Sequence, residues 1–456
     1  MINKKQKSVL ILALFAGELM LRSGAEIYRV EDTITRICRA CGIHYVECFA
    51  TTTGIFLSLD GGREDDNMHT FIKRIQRINI DLGKISLINK FSRAFTATDL
   101  SIEEGFAQLR EISRIKPYSL PMNLLGALFI GASLCLCFGG LASDAIVSAV
   151  ITMIVYLLSI WVGKLQLSPF IGVFVSCAAC ALLSVISIEL GLLFTLSPAI
   201  IASITMFLPG VAITNAARDL LSGDMLAGVS RFAEALINAV AIAGGVSAVL
   251  KPWSLARGGF PSDEVIRYPL LLFFLLAFLT TLGFCIQFHV PQRQMLPASV
   301  IGACGFCLYE FSLLDLGQSP VAASFLASGL VAVMAEFASR AGRDATTLFI
   351  IPGIIPLVPG TGMYTAMSYV MQDDFANAAS TGASTFFMAG SIAIAIVIVA
   401  SLCRIIMAFT GKIADSVRQR RAKAGGGQET EGSDGDAGGA DISDSGDGHG
   451  PDGDRD

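Results

Sequence analysis

Ten apolar segments, each close to the length of a membrane-spanning helix, follow one another between residues 119 and 409. A helix of about twenty residues crosses the hydrocarbon core of a bilayer, where backbone polar groups must be bonded internally. We therefore expect an all-α polytopic membrane protein. The candidate spans are 122–140, 144–162, 169–189, 193–212, 226–250, 268–288, 295–314, 320–339, 345–369 and 380–407.

The distribution of charge agrees with this class. Only 16% of the residues are charged and 53% are hydrophobic, whereas about 25% charged residues are usual in soluble domains. Charge is concentrated in residues 1–118 and in an acidic tail. From Gly425 to Asp456 the tail carries a net charge of −9, which leaves +4 on the rest. Nothing in this pattern suggests nucleic-acid binding.

Residues 1–118 predict a small cytoplasmic α+β domain. Its basic start resembles a signal peptide, but the pattern continues as one amphipathic helix to Gly42 without a convincing cleavage site, so we expect it to be retained. Strands and then two helices follow up to Lys116-Pro117. The predicted segments are His44–Ala50, Gly54–Leu59, Thr70–Ile75, Leu82–Thr96 and Ile102–Ile115.

Charged residues on the first helix have two interpretations. Arg22, Glu26 and Arg29 are spaced as neighbours on one helix face. The simpler interpretation is a solvated salt-bridge face, and a role in substrate binding is the alternative.

Eleven cysteines raise the question of a metal or redox site. Three Cys-x-x-Cys spacings begin at Cys38, Cys177 and Cys304, but none has the partner pair or the histidines of a zinc site. Cysteines at this spacing on apolar helices are commonly small hydrophobic residues. We therefore predict no metal site and no cofactor.

The positions of Lys and Arg predict the orientation. With the N-terminus in the cytoplasm, most basic residues fall in inner loops, and the loop at 251–267 is the exception. The positive-inside rule then favours cytoplasmic termini at both ends of a multi-pass protein of the cell (inner) membrane. The expected domains are 1–118, a first five-helix membrane repeat at 119–252, a connecting loop at 253–267, a second five-helix repeat at 268–410, and a disordered acidic tail at 411–456.

An internal repeat accounts for the two membrane halves. Leu208-Pro209-Gly210 matches Val358-Pro359-Gly360 at an offset of 150, and further matches keep this register across three spans. Because each half has five spans, an odd number, the second half enters the membrane in the opposite orientation. Such inverted repeats are typical of secondary transporters, which bind substrate near the midplane at the repeat interface.

Both Pro-Gly elements are candidate sites. Residues 194–221 would form a helix of about 42 Å, longer than the hydrocarbon core, so we expect a break at Pro209-Gly210. A second break is expected at Pro359-Gly360. Irregular backbone at membrane depth persists where protein buries it or where it lines a wet cavity. A structural kink that binds no ligand is the alternative.

Polar side chains follow each break on one helix face. Asn215 and Asp219 lie one turn apart after the first break, and Thr365 and Asp373 follow the second. A charged residue within a span is by default a functional candidate. Two more, Arg231 and Glu234, lie early in the fifth span; the alternative is a surface ion pair between these two.

The chain resembles a known family in its spaced motifs. Gly17-Glu18, Ser23-Gly24-Ala25-Glu26 and Arg29-Val30-Glu31 resemble the N-terminal region of the threonine/serine exporter family, as does Pro209-Gly210 with the polar residues after it. Residues 351–364 are similar to the family's second component. In some bacteria the two components are separate proteins, and here they are fused. The resemblance covers about residues 10–410.

This resemblance implies a function that the residues alone do not define. It implies proton-driven export of small hydrophilic metabolites, with threonine and serine as the expected substrates and the proton as coupling ion. The split relatives imply dicarboxylates such as succinate as an alternative, and a membrane channel is another. The expected partners are the substrate and the lipid membrane, and homo-oligomerisation is left open. Intramembrane protease motifs and a Walker-type loop are absent from the sequence, so we expect no enzyme.

Overall fold

The structure is a computed structural model, and it describes residues 4–425 with short gaps. The gaps are 44, 60–68, 76–78, 99, 166, 222, 258–265, 359–361, 363–364, 367–368 and 371. Residues 1–401 form one unit and residues 402–456 another. Pro359, Gly360 and the acidic residues 426–456 therefore lie outside the described residues.

Within the described residues, eight helices are long and apolar enough to cross a membrane, and one bent pair would make a ninth span. The chain is thus a polytopic membrane protein. The tenth expected span, 345–369, contains the short apolar stretch Thr347–Leu357 and then several gaps. The helices are α5 (Leu120–Cys137), α6 (Ala142–Lys164), α7 (Pro169–Glu189), α8 (Leu196–Ile204), α9 (Gly210–Leu221), α10 (Met225–Arg257), α11 (Leu270–Gln287), α12 (Gln292–Leu314), α13 (Pro320–Gly342), α14 (Thr347–Ile354) and α15 (Phe375–Gly425). We number them after the four helices of the N-terminal region.

The N-terminal region combines four helices with three strands. The elements are α1 (Lys4–Arg22), α2 (Ile27–Ala40), β1 (Val46–Thr51), β2 (Gly54–Leu59), β3 (His69–Arg74), α3 (Leu82–Ala97) and α4 (Ile102–Arg114). The strands form an antiparallel sheet in the order β1-β2-β3. Alternate residues of β2 are buried, so that Ile55 and Leu57 face the helices. Helices α1 and α2 pack so closely that a Cβ added at Gly17 would lie 2.5 Å from Cδ1 of Ile34.

The expectation of one continuous first helix is wrong. Helix α1 ends at Arg22 and α2 begins at Ile27. Gly24 has φ +82, a left-handed conformation that glycine adopts without steric cost. The hydroxyl of Ser23 donates to the carbonyl of Leu19 at 2.8 Å, which closes the end of α1. The apolar pattern spans this break because both helices pack on the same core.

The repeat in the sequence recurs in the secondary structure. Helices α11 and α12 begin and end 150 residues after α5 and α6. Left-handed backbone recurs at the same offset, at Gly139 and His289 and again at Gly223 and Asp373. The two halves therefore have matching elements and matching turns.

The matching helices α5 and α11 pack against each other in opposite directions. Gln287 at the end of α11 donates to the carbonyl of Asn123 near the start of α5, at 3.0 Å. Further along, the hydroxyls of Ser133 and Thr280 lie 2.7 Å apart. A Cβ added at Gly283 would lie 2.7 Å from the carbonyl oxygen of α5 residue Gly126. Small residues allow this close approach, as in other membrane helix pairs.

The N-terminal region contacts the membrane helices at one end, which we call the near side. Leu82, at the start of α3, donates its backbone N–H to the carbonyl of Phe288 at 3.0 Å. The carbonyl of Val290 accepts a 2.6 Å hydrogen bond from the hydroxyl of Tyr118. The turn between α11 and α12 is therefore a near-side turn.

Loops at the opposite ends of these helices, the far side, contact one another. Glu189 at the end of α7 accepts from Trp253 at 2.9 Å and pairs with Arg257 at 2.6 Å, both at the end of α10. Tyr268, before α11, donates to the carbonyl of Gly140 after α5 at 2.8 Å.

Candidate functional site

The fourth span is broken where the sequence predicts it. Helix α8 continues as a 3-10 turn to Phe207, and α9 starts at Gly210 after a bend of 55°. Pro209 has no N–H and cannot extend the hydrogen bonds of α8. Both Pro209 and Gly210 are buried, which satisfies the requirement that irregular backbone at membrane depth be covered by protein.

The first break lies against the residue that precedes the second Pro-Gly. A Cβ added at Gly210 would lie 2.6 Å from Cγ1 of Val358, the residue before the second Pro-Gly. Leu208 and Val358 also share an extended backbone with ψ 130 after a 3-10 turn. The structure thus brings the two halves together at their irregular segments.

Asp219 and Arg231 form a buried ion pair behind the first break. Oδ2 of Asp219 lies 3.1 Å from Nε of Arg231, and their side chains are 2% and 11% exposed. Arg231 also donates through Nη2 to the carbonyl of Ala25 in the N-terminal region, at 3.2 Å. Asn215, one turn before Asp219, is buried as well.

The alternative pairing of Arg231 is wrong. Glu234 is exposed, and in the described part of the chain the ion pair of Arg231 is with Asp219. Asp219 lies on the neighbouring helix α9, so sequence spacing along α10 could not reveal it. The structure therefore pairs Asp219 with Arg231, has Asn215 buried one turn before Asp219, and leaves Glu234 apart.

Glu26 is the second acid of this cluster, and the expectation of a solvated face is wrong for it. Glu26 is 2% exposed. It pairs with Arg29 on its own helix and with Arg218 on α9, whose side chain is 13% exposed. Arg22 instead pairs with Glu18 at 3.0 Å. We call Glu26, Arg29, Arg218, Asp219 and Arg231 the charge network.

The charge network lies where the N-terminal region meets both membrane halves. Nη1 of Arg29 is 3.5 Å from the hydroxyl of Thr347 at the start of α14, in the second half. Beside it, the hydroxyls of Thr52 and Ser230 are 3.1 Å apart. A buried cluster with both signs of charge can bind the ammonium and carboxylate groups of a small zwitterion.

The remaining expected site residues follow the second break. Thr365 is half-buried in a short helical segment. Asp373 is exposed in the turn before α15 with φ +61, at the position that Gly223 occupies in the first half. Among the described residues, the ion pairs of the charge network do not include Asp373.

A second polar contact joins α3 to the second half. Asp344, before α14, pairs with Lys90 and accepts from Gln294 at the start of α12. The hydroxyl of Ser86 is 3.4 Å from the same carboxylate. The N-terminal region is therefore attached to both halves on the near side.

A cavity of about 1080 Å³ lies where the N-terminal region meets the near-side turn between α11 and α12. It is lined by Ser23 next to the charge network, by Met206 at the first break and by His289 at the near-side turn. Neither ring nitrogen of His289 has a hydrogen-bond partner among the described residues. The cavity thus extends from the near-side turn to the neighbourhood of the first break.

Two family models match the chain. One, for a threonine/serine exporter, matches residues 11–253, and the other, described as "Threonine/Serine exporter, ThrE", matches residues 273–402. The first match covers the N-terminal region and the first membrane half, and the second match covers the second membrane half. No solved structure matches the chain.

Curated relatives agree with this assignment. The threonine/serine exporter of Corynebacterium glutamicum is 20% identical over 374 residues, 80% of this chain and 76% of that protein. In Escherichia coli K12, a protein named "Probable succinate transporter subunit YjjP" is 26% identical over 260 residues, 56% of this chain and 98% of its own length. The chain therefore belongs to the threonine/serine exporter family, in the form that fuses both components in one polypeptide.

Proposed function

We propose that this protein exports threonine and serine across the cell membrane, driven by the proton motive force. The observation that carries the proposal is the buried Asp219–Arg231 pair behind the first break. An acid and a guanidinium side by side offer partners for the ammonium and the carboxylate of an amino acid in a site of low dielectric. The named function of the Corynebacterium relative supports the same substrates.

The architecture that we propose is a pair of inverted five-helix repeats, ten spans in all, with both termini in the cytoplasm. Three observations support it: element bounds that recur at an offset of 150, the antiparallel packing of α5 and α11, and the contact between the two breaks at Gly210 and Val358. In transporters of this kind the substrate site lies at the repeat interface.

The N-terminal region then lies on the cytoplasmic side and closes it. Near-side ends from both halves contact this region, through Arg218 and Arg231 in the first half and Asp344 in the second. A transporter must close one side while the other is open. We assign this structure to a form that is closed toward the cytoplasm.

Export of dicarboxylates such as succinate is the second candidate. The relative named as a succinate transporter subunit favours it, and so does the excess of arginine in the charge network, which has three guanidinium groups and two acids. A dicarboxylate carrier would depend on Arg231 but gain from neutralising Asp219, whereas an amino-acid carrier would lose from both changes.

The test is efflux of labelled threonine, serine and succinate from loaded cells with and without this gene. We expect efflux of threonine and serine that stops when a protonophore collapses the proton gradient and continues when ATP alone is depleted. Efflux of succinate alone would favour the second candidate. Substrate efflux that occurs only down a concentration gradient and is unchanged by the protonophore would identify a channel and contradict the proposal.

A further inference from the structure

The carboxylate of Glu26 is held by two guanidinium groups from different parts of the fold. Arg29 belongs to the same helix, and Arg218 belongs to α9 in the membrane part. Glu26 is the N-cap residue of α2, yet its side chain makes no capping hydrogen bond to that helix. An acid at this position is normally stabilised by the free N–H groups and the dipole of its own helix. Glu26 is instead turned toward the arginines.

The network has no spare anion for these arginines. Asp219 pairs with Arg231, so Arg29 and Arg218 share Glu26. If Glu26 moved away, the largely buried Arg218 would keep only the charge of Asp219, which is already paired with Arg231, and a poorly compensated buried charge is costly. The contact between α2 and α9 therefore opens at low cost only when another anion replaces Glu26.

Glu26 would withdraw by rotation of its side chain, since the backbone of Ser23, Gly24 and Ala25 before it is hydrogen-bonded to α1. It ends the short connector between α1 and α2, in which Gly24 has the left-handed conformation. Ser23, in the same connector, lines the near-side cavity of about 1080 Å³ that extends to Met206 at the first break. A small molecule in this cavity would lie beside the connector.

We propose that Arg218 is the first binding site for a carboxylate group of the substrate and that Glu26 occupies this site when substrate is absent. The proposal rests on the export function proposed above and adds a binding residue to it. The carboxylate is the group that threonine, serine and succinate share, and a guanidinium binds it through two parallel hydrogen bonds. Arrival of the substrate releases Glu26 from α9 and so opens the near side.

An internal competitor weakens the apparent affinity for substrate. The apparent Kd equals the Kd of the open site divided by the fraction of molecules in which Glu26 has left Arg218. If about nine-tenths of the molecules hold Glu26 on Arg218, the apparent Kd is about tenfold weaker than that of the open site. Removing the competing carboxylate should therefore tighten binding. If Glu26 had only a structural role, removing its carboxylate would weaken substrate binding or leave it unchanged.

The experiment is calorimetric titration of the purified full-length protein with L-threonine, with succinate and with L-threoninamide, which has no carboxylate. We expect Glu26→Gln to lower the Kd about tenfold and Arg218→Gln to abolish measurable binding. L-threoninamide should bind to neither the wild type nor Glu26→Gln. If Glu26→Gln lowers the Kd for L-threonine alone, the site is an amino-acid site. If it lowers the Kd for succinate alone, the site is a dicarboxylate site.

Glu18→Gln is the matched control. Glu18 also pairs with two cations, Arg22 at 3.0 Å and Lys73 at 2.9 Å, but outside the charge network. This variant should keep the wild-type Kd. An unchanged or weaker Kd in Glu26→Gln overturns the inference. If Glu26→Gln does not fold, Glu26→Asp shortens the reach to Arg218 while keeping the charge, and an unchanged Kd in that variant overturns it equally.

Calorimetry separates this inference from the proposed function. Because it measures binding without flux, a protein that binds as expected but exports neither compound contradicts only the export proposal. A working exporter whose Glu26→Gln variant binds no more tightly contradicts only the role of Glu26.

Discussion

The backbone of Gly210 lies so close to Val358 that a Cβ at position 210 would be 2.6 Å from Cγ1 of that valine. Gly210 starts α9 after the first break, and Val358 follows the 3-10 turn after α14, so this contact fixes the separation of the two segments. Overpacking at such a point displaces neighbours at a cost of about 1–3 kcal/mol.

We expect Gly210→Ala to reduce threonine export severely because the added methyl group pushes the two breaks apart. Val358→Ala removes Cγ1, the nearest atom, and leaves Cβ at 3.0 Å, so the double variant should recover part of the activity. Gly163→Ala, at a position with no neighbouring atom within 4 Å of an added Cβ, is the control. A fully active Gly210→Ala protein would mean that the spacing of the breaks does not matter for transport.

Asp219→Asn and Arg231→Gln should each reduce threonine export at least about tenfold, the equivalent of about 1.4 kcal/mol. Each variant leaves the other member of a buried ion pair without its partner. Efflux is compared at equal amounts of protein in the membrane. Asp224→Asn and the exposed Glu234→Gln should have smaller effects. Normal export by Arg231→Gln would move the search for the site to the second break and Thr365.

Reporter fusions test the orientation. Fusions after Ser143, Gly223, Gly258 and Asp373 should report outside, inside, outside and outside. Of these positions, Gly258 is not among the described residues. An inside signal at Gly258 would contradict the inverted repeat, because the first half would then cross the membrane an even number of times.

The pH dependence of stability tests Glu31 on α2. Burial raises the pKa of Glu31, and the nearby charge of Asp224 adds to this effect, whereas a 2.8 Å hydrogen bond from the backbone of Ala50 opposes it. A carboxyl whose pKa is higher in the folded state stabilises the fold when protonated, and this contribution is lost as pH rises through the raised pKa.

We therefore expect Glu31→Gln to raise the Tm of the purified protein at pH 7.5 and to have little effect near the ordinary glutamate pKa of about 4.3. Asp32→Asn, which removes the exposed ion pair of Asp32 with Arg36, is the control. An equal change in Tm at both pH values would show that ionisation of Glu31 is not the cause.

The break at Pro209-Gly210 could be predicted from the sequence because its cause is local. A proline without an N–H, inside a stretch too long for the bilayer, requires an interruption wherever the rest of the chain lies. The internal repeat could be predicted as well, because a constant offset between matching residues is a property of the sequence. The sequence predicts ten spans, whereas the described residues contain eight helices of spanning length, or nine spans if the bent pair counts as one.

The role of Glu26 could not be predicted in the same way. Its neighbours at one helical turn suggested a solvated face, but its partner Arg218 is 192 positions away in the chain and only the packing of α2 on α9 brings them together. Ser23-Gly24 was the available signal, because this pair is typical of a helix end. A break there places Glu26 at a helix start and not on a continuous exposed face.

The antiparallel pair of α5 and α11 has a consequence for the cell. Each half supplies one helix of this pair, through contacts such as that between Ser133 and Thr280, so a half made in excess would leave that surface uncovered. When two genes encode the components, their translation has to be balanced. One polypeptide delivers both in a one-to-one ratio and at the same moment, whatever the level of expression.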